Sequence, residues 1–111
     1  MKTSTTAAQV CDTIMQQIGG NKFLTMTGSK PQCYGTSDAG NDFITLQLAK
    51  NGVGAKWLKI TSMPNDTYSM EFSGIKNGDI SVISHEDNVY CDMLQSTFTD
   101  ITGLYTTLVS L

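Results

Sequence analysis

Between Phe43 and Ile83 the chain sets apolar residues at alternate positions and interrupts the series only with short polar turns. Ile44, Leu46 and Leu48 share one side of the run beginning at Phe43. Leu58 and Ile60 share one side of the run beginning at Trp57. Tyr68, Met70 and Phe72 alternate with Ser69 and Glu71, and Ile80-Ser81-Val82-Ile83 forms a returning run. A period of two is the mark of a strand, because successive side chains leave a pleated backbone on opposite faces. The breaks are Asn51-Gly52-Val53-Gly54, Pro64-Asn65-Asp66 and Asn77-Gly78, all rich in turn-forming residues. Asn-Gly between two alternating runs is a type I′ hairpin signal. Connections this short join antiparallel neighbours, so the middle of the chain reads as an antiparallel meander.

A sheet with one apolar face needs a cover. Two segments supply it. Val10, Ile14 and Ile18 recur every four residues with Cys11 and Met15 beside them, which is one stripe of a helix. Thr5 or Thr6 stands where a cap is needed, with Gln9 three residues after Thr6, and Gly19-Gly20 stops the helix. At the other end Tyr90, Met93, Leu94, Thr97, Phe98 and Ile101 fall on one helical face. Asp87 or Asn88 reads as the cap and Gly103 as the stop. Residues 22–27 (KFLTMT) read as a short strand closed by Gly28. Residues 31–34 (PQCY) read as an edge strand, since Pro31 cannot donate to a central ladder. The apolar tail Leu104, Tyr105 and Leu108 is predicted to dock on the body. The fold class is therefore α+β: an N-terminal helix, a four- to six-stranded antiparallel meander and a C-terminal helix, with both helices on one sheet face. At 111 residues this is one domain, 1–111.

Composition narrows the function. Net charge is −3 and all seven basic residues are lysine. Arginine, which supplies the planar fork that grips phosphate and guanine edges, is absent. Duplex DNA is thus an improbable partner on charge grounds. Cys11, Cys33 and Cys91 are odd in number, which rules out a complete disulfide framework. The first ten residues, MKTSTTAAQV, hold one lysine and no apolar run, so they do not read as a signal peptide. No apolar stretch approaches membrane-spanning length. These features predict a cytoplasmic protein with free thiols, making no use of a membrane.

Catalytic sets are hard to assemble. His85, followed by Glu86 and Asp87, has the composition of a base beside a carboxylate, but a polar strand-to-helix junction has the same composition. Cys91 lies six residues later, where a helix start lowers a thiol pKa, and a Cys-His dyad is one reading. Packing is the plainer one. Cys11, Cys33, His85 and Cys91 match zinc in number without paired spacing. The glycine-rich stretches 51–54 and 73–78 precede strands, whereas a phosphate loop precedes a helix. The chain is accordingly predicted to be no enzyme, with no metal and no cofactor. Trp57, Lys59, Tyr68 and Lys56 are the candidate binding residues, since aromatic and basic side chains on a sheet face bind single-stranded nucleic acid by stacking. Against that, Tyr68 and Phe72 share a side with Met70, as a core stripe does, and Lys56 and Lys59 point to opposite sides.

Three segments carry a resemblance: residues 17–28 (QIGGNKFLTMTG), 66–72 (DTYSMEF) and 89–108 (VYCDMLQSTFTDITGLYTTL). Together they resemble a group of small uncharacterised proteins found largely in bacteriophages, prophages and related mobile elements. The resemblance implies a binding role, with a host protein as partner and a bacterial defence system as one target. Two alternatives stay open: a single-stranded nucleic-acid accessory protein, and an oligomer that sequesters a small nucleotide-like ligand. A homodimer is compatible with all three readings, with pairing at a strand edge near 31–34 or at 104–108.

Overall fold

The computed structural model of the chain describes residues 7–36, 40–50, 53–65 and 67–103. Five strands form one antiparallel sheet in sequence order: β1 (Lys30–Thr36), β2 (Asp42–Gln47), β3 (Trp57–Ser62), β4 (Tyr68–Lys76) and β5 (Asp79–Val89). Helices α1 (Ala7–Ile18) and α2 (Gly20–Thr27) precede the sheet. A 3₁₀ turn (Cys91–Met93) and α3 (Leu94–Thr102) follow it. This is the α+β meander that the alternation predicts.

Register explains the core. Ile44 faces Ile60, and Ile60 faces Met70; Leu46 faces Leu58, and Leu58 faces Phe72. Directly opposed residues of an antiparallel pair lie on the same side of a sheet. All six are buried in one cluster with Ile14 and Ile18 of α1, Phe23 of α2, and Leu94 and Phe98 of α3. The helices therefore cover a single face. Phe98 is the centre of this layer: its ring meets Phe23 edge-on at 4.9 Å and Phe72 at 6.2 Å. Burying each of these large side chains contributes about 1.5–3 kcal/mol over leaving it exposed. The layers are also tied by polar bonds. Gln95 of α3 donates to the Ile18 carbonyl at 2.8 Å, and the Tyr68 hydroxyl donates to the Gln17 side chain.

Local chemistry sets the element ends. Asn77 (φ 54°) and Gly78 (φ 83°) are both left-handed, as a type I′ turn requires. Gly103 ends α3 at φ 78°, its N–H bonded to the Thr99 carbonyl at 2.8 Å.

The structure corrects two element assignments. Residues 22–27 are not a strand; they lie in α2. Phe23 and Thr27, four apart, turn to the same side and are buried, and the Thr27 hydroxyl donates to the Phe23 carbonyl at 2.8 Å. A short apolar run has no decisive period, and here packing of Phe23 on Phe98 decides for helix. Asp87 and Asn88 do not cap the last helix. Strand β5 continues to Val89, and the residue preceding the 3₁₀ turn is Tyr90, with no side-chain cap. Only Leu94, Phe98 and Thr102 of α3 are fully buried, while Tyr90 and Met93 are exposed. Residues 31–34 do lie in an edge strand, β1. The proposed caps Thr5 and Thr6 and the tail from Leu104 lie outside the described residues.

Candidate functional site: the open face of the sheet

The second face of the sheet carries the odd-numbered residues of β2, β3 and β4. Following the register across the strands gives two rows. One runs Cys33, Thr45, Lys59, Glu71, His85; the other runs Gln47, Trp57, Ser73, Val82. Thr45, Trp57, Lys59, Glu71 and Ser73 are all half-buried, and among the described residues no helix packs over them. They line a shallow groove of about 380 Å³ that reaches from Gln32 on β1 to Ile80 on β5.

Electrostatics along the first row alternate in sign. Lys59 stands between Thr45 and Glu71, and its Nζ sits 4.5 Å from the centre of the Phe43 ring, a cation–π contact. Glu71 faces Lys59 on one side and His85 on the other. The His85 ring is held by three neighbours: Nε2 is 2.7 Å from Asp87 Oδ1 and 3.3 Å from Ser69 Oγ, and Nδ1 is 3.6 Å from Glu71 Oε1. The hydrogen bond to Asp87 raises the His85 pKa above its ordinary 6.5; burial opposes it, and the charges of Asp87 and Glu71 add to the rise. The same bond, joined by one to Ser69, lowers the Asp87 carboxyl.

A serine relay needs the hydroxyl on one ring nitrogen and an orienting carboxylate on the other. Here Asp87 takes Nε2 at closer range than Ser69, and Glu71 stands off at Nδ1. The geometry sets the imidazole between two carboxylates, which favours its protonated form. Cys91 lies exposed in the 3₁₀ turn and is not among the bonding partners of His85.

Of the candidate binding residues, Trp57 and Lys59 come together on the open face. Tyr68 is buried on the covered face. Lys56 precedes β3, exposed, and borders a different hollow with Leu48, Lys50 and Ala55. Sequence reasoning did not single out Thr45, Glu71, Ser73 and Ile80. Their parity was legible, but which of them stands opposite Trp57 or Lys59 depends on strand register, which the turns leave free by whole pairs. The four would-be zinc ligands are scattered. Cys11 is in the core, its Sγ donating to the Phe43 carbonyl at 3.1 Å, and Cys33 is on the edge opposite β5. Among the described residues no group of three or more His, Cys, Asp or Glu side chains is placed to hold a metal ion. No described helix is long and apolar enough to cross a membrane.

A larger hollow of about 450 Å³ lies between the β3–β4 turn and the end of β5, walled by Met63, Pro64, Asn65, Thr67, Asp87 and Asn88. It holds no aromatic ring and no cation, so it offers a ligand fewer anchors than the groove at Trp57. Comparison of the chain with protein-family models, curated proteins and solved structures returns no match.

Proposed function

We propose that the chain is a non-enzymatic binding protein, an accessory factor of a bacteriophage or other mobile element, that engages a host protein through the open face of its sheet. The observation that carries this reading is the groove at Trp57: an indole, a lysine, a carboxylate and small hydroxyls converge on a face that no described element covers. Interfaces are built in this way, with an aromatic anchor ringed by polar groups. The resemblance of segments 17–28, 66–72 and 89–108 to phage and prophage proteins supports a partner in the host, and a component of host defence is the target class we favour.

The nucleic-acid reading has one observation in its favour, the shared face of Trp57 and Lys59. It is weakened by Glu71 and Asp87 on that face and by the burial of Tyr68, which removes the second stacking ring.

The test is capture from host lysate with wild-type protein and with Trp57→Ala, followed by titration of the purified captured protein. Binding by wild type with at least a tenfold loss in Trp57→Ala supports the reading. Equal binding by both, or no partner at all, overturns it. Salt-sensitive binding to single-stranded oligonucleotides, lost in Lys59→Ala, transfers the role to nucleic acid.

A further inference from the structure

What the groove at Trp57 can hold is set by what its lining can exchange. Five lining side chains can donate a hydrogen bond: Gln32, Thr45, Trp57, Lys59 and Ser73. Glu71 can only accept. Among the described residues, no hydrogen bond engages the side chains of Gln32, Thr45, Trp57 and Ser73. Lys59 rests its ammonium on the Phe43 ring, a contact that is not a hydrogen bond. The surface is rich in donors, so it suits a ligand rich in acceptors.

Three kinds of acceptor-bearing ligand fit poorly. An added strand needs free backbone amides, but β2, β3 and β4 are each paired on both sides and their amides are spent in the ladder. A helix keeps its carbonyls in its own internal bonds and leaves the donors unused. A phosphate or carboxylate meets Glu71 in the groove and Asp87 beyond His85. A polyproline II segment meets each condition. It makes no internal hydrogen bonds, so its carbonyls are free to accept, and its prolines have no N–H to satisfy. Its rings pack on aromatic side chains. Here the indole of Trp57 is continued on one side by Ile80 and by the exposed Val82 and Ile75, which the register places on the same face. The groove reaches across five strands, about 19 Å at the usual strand spacing, which about six polyproline II residues cover.

We propose that the open face takes a proline-rich segment of its protein partner in polyproline II form. The segment lies across the strands with a proline ring on Trp57 and a lysine or arginine beside the prolines paired with Glu71. This rests on the host-binding reading and names the chemistry of the segment engaged. The segment is extended before it binds, so docking orders it at low entropic cost.

The test uses three synthetic peptides: hexaproline ending in lysine, hexaproline ending in glutamate, and an alanine-serine hexamer ending in lysine. Binding is read by fluorescence anisotropy of labelled peptide. The chain has one tryptophan, so the emission of Trp57 reports contact directly in the unlabelled protein. Hexaproline-lysine is expected to saturate below about 1 mM, at least about tenfold tighter than the alanine-serine peptide, and to shift the Trp57 emission. Trp57→Ala, with circular dichroism unchanged, is expected to lose at least about tenfold. Glu71→Gln is expected to keep hexaproline binding and lose the preference for lysine over glutamate. Absence of saturation overturns the inference, as does equal affinity for the alanine-serine peptide, an unmoved Trp57 emission, or a lysine preference that survives Glu71→Gln. Tighter binding of a neutral oligosaccharide or a single-stranded oligonucleotide at Trp57 also overturns it. A captured host protein that needs Trp57 but binds through a proline-free segment sinks this inference and leaves the host-binding reading standing. Proline peptides that bind while no host protein is captured do the reverse.

Discussion

His85 and Asp87 stand two residues apart on β5 and join through Nε2 and Oδ1 at 2.7 Å, above the hydroxyl of Ser69. The local irregularity of β5 opposite Ser69 lets the two side chains meet, although Asp87 otherwise reads as a helix cap. The pairing favours imidazolium and carboxylate together, and this gives the protein a pH signature.

His85 has its pKa raised in the folded chain, so its contribution to stability is full below about 6.5 and is lost as pH rises through the higher folded value. Asp87 has its pKa lowered, so its contribution is full above about 3.8 and is lost as pH falls through the lower folded value. Between those limits the pair is intact. The chain has one histidine, so its ring proton resonance is unambiguous in NMR. The titration midpoint is expected above 6.5 in the wild type and lower in Asp87→Asn. A wild-type midpoint at or below 6.5 would show that the pair does not form in solution. The melting temperature of wild type relative to His85→Gln is expected to fall from pH 6 to pH 8.

The three thiols are expected to separate by reactivity. Burial, then the nearby charges of Asp42 and Asp12, push the Cys11 thiol up to about 11. Cys33 and Cys91 are exposed. An aromatic disulfide reagent at pH 8 should therefore titrate two thiols quickly and the third only after denaturant is added. Rapid release of three equivalents from native protein would contradict the packing of α1 on β2.

Gly74 is required for space, not for backbone conformation. A Cβ there would lie 2.7 Å from the Gly54 carbonyl oxygen and 2.8 Å from Ile83 Cδ1. The backbone oxygen cannot rotate aside, so Gly74→Ala is expected to destabilise by about 1–3 kcal/mol in urea unfolding. Gly35→Ala is the comparison, since its Cβ would approach only the Phe43 ring, at 3.4 Å. It should be markedly milder. Equal effects would remove the close approach of the Gly54 loop as the cause.

Phe98→Ala and Trp57→Ala should divide stability from binding. Phe98 is fully buried between Phe23 and Phe72, and its loss is expected to cost about 3–5 kcal/mol. That is a large share of the 5–15 kcal/mol that holds a typical domain folded. Trp57 is half-buried on the open face, so Trp57→Ala should keep the fold and lose the partner. A Trp57→Ala protein that unfolds at lower urea than Phe98→Ala would place the indole in the framework instead.

What the sequence determined by itself is the alternation and its punctuation. Side chains at every second position from Phe43 to Phe72 have no choice of face once one face is buried, so Ile44, Leu46, Leu58, Ile60, Met70 and Phe72 were legible as core. So were the stripe of α1, the Asn77-Gly78 turn and the stop at Gly103, because each rests on local backbone preference. Residues 22–27 were not legible. Six residues with Phe23, Leu24 and Met26 satisfy either period, and only the Phe98 ring across the layer makes the helix the better burial. The end of β5 was not legible either, since Asp87 has the chemistry of a cap until His85 is beside it. The groove was least legible of all. Trp57, Lys59, Thr45, Glu71 and Ser73 lie on three strands, and which of them meet is a matter of register, a long-range relation that local periodicity does not carry.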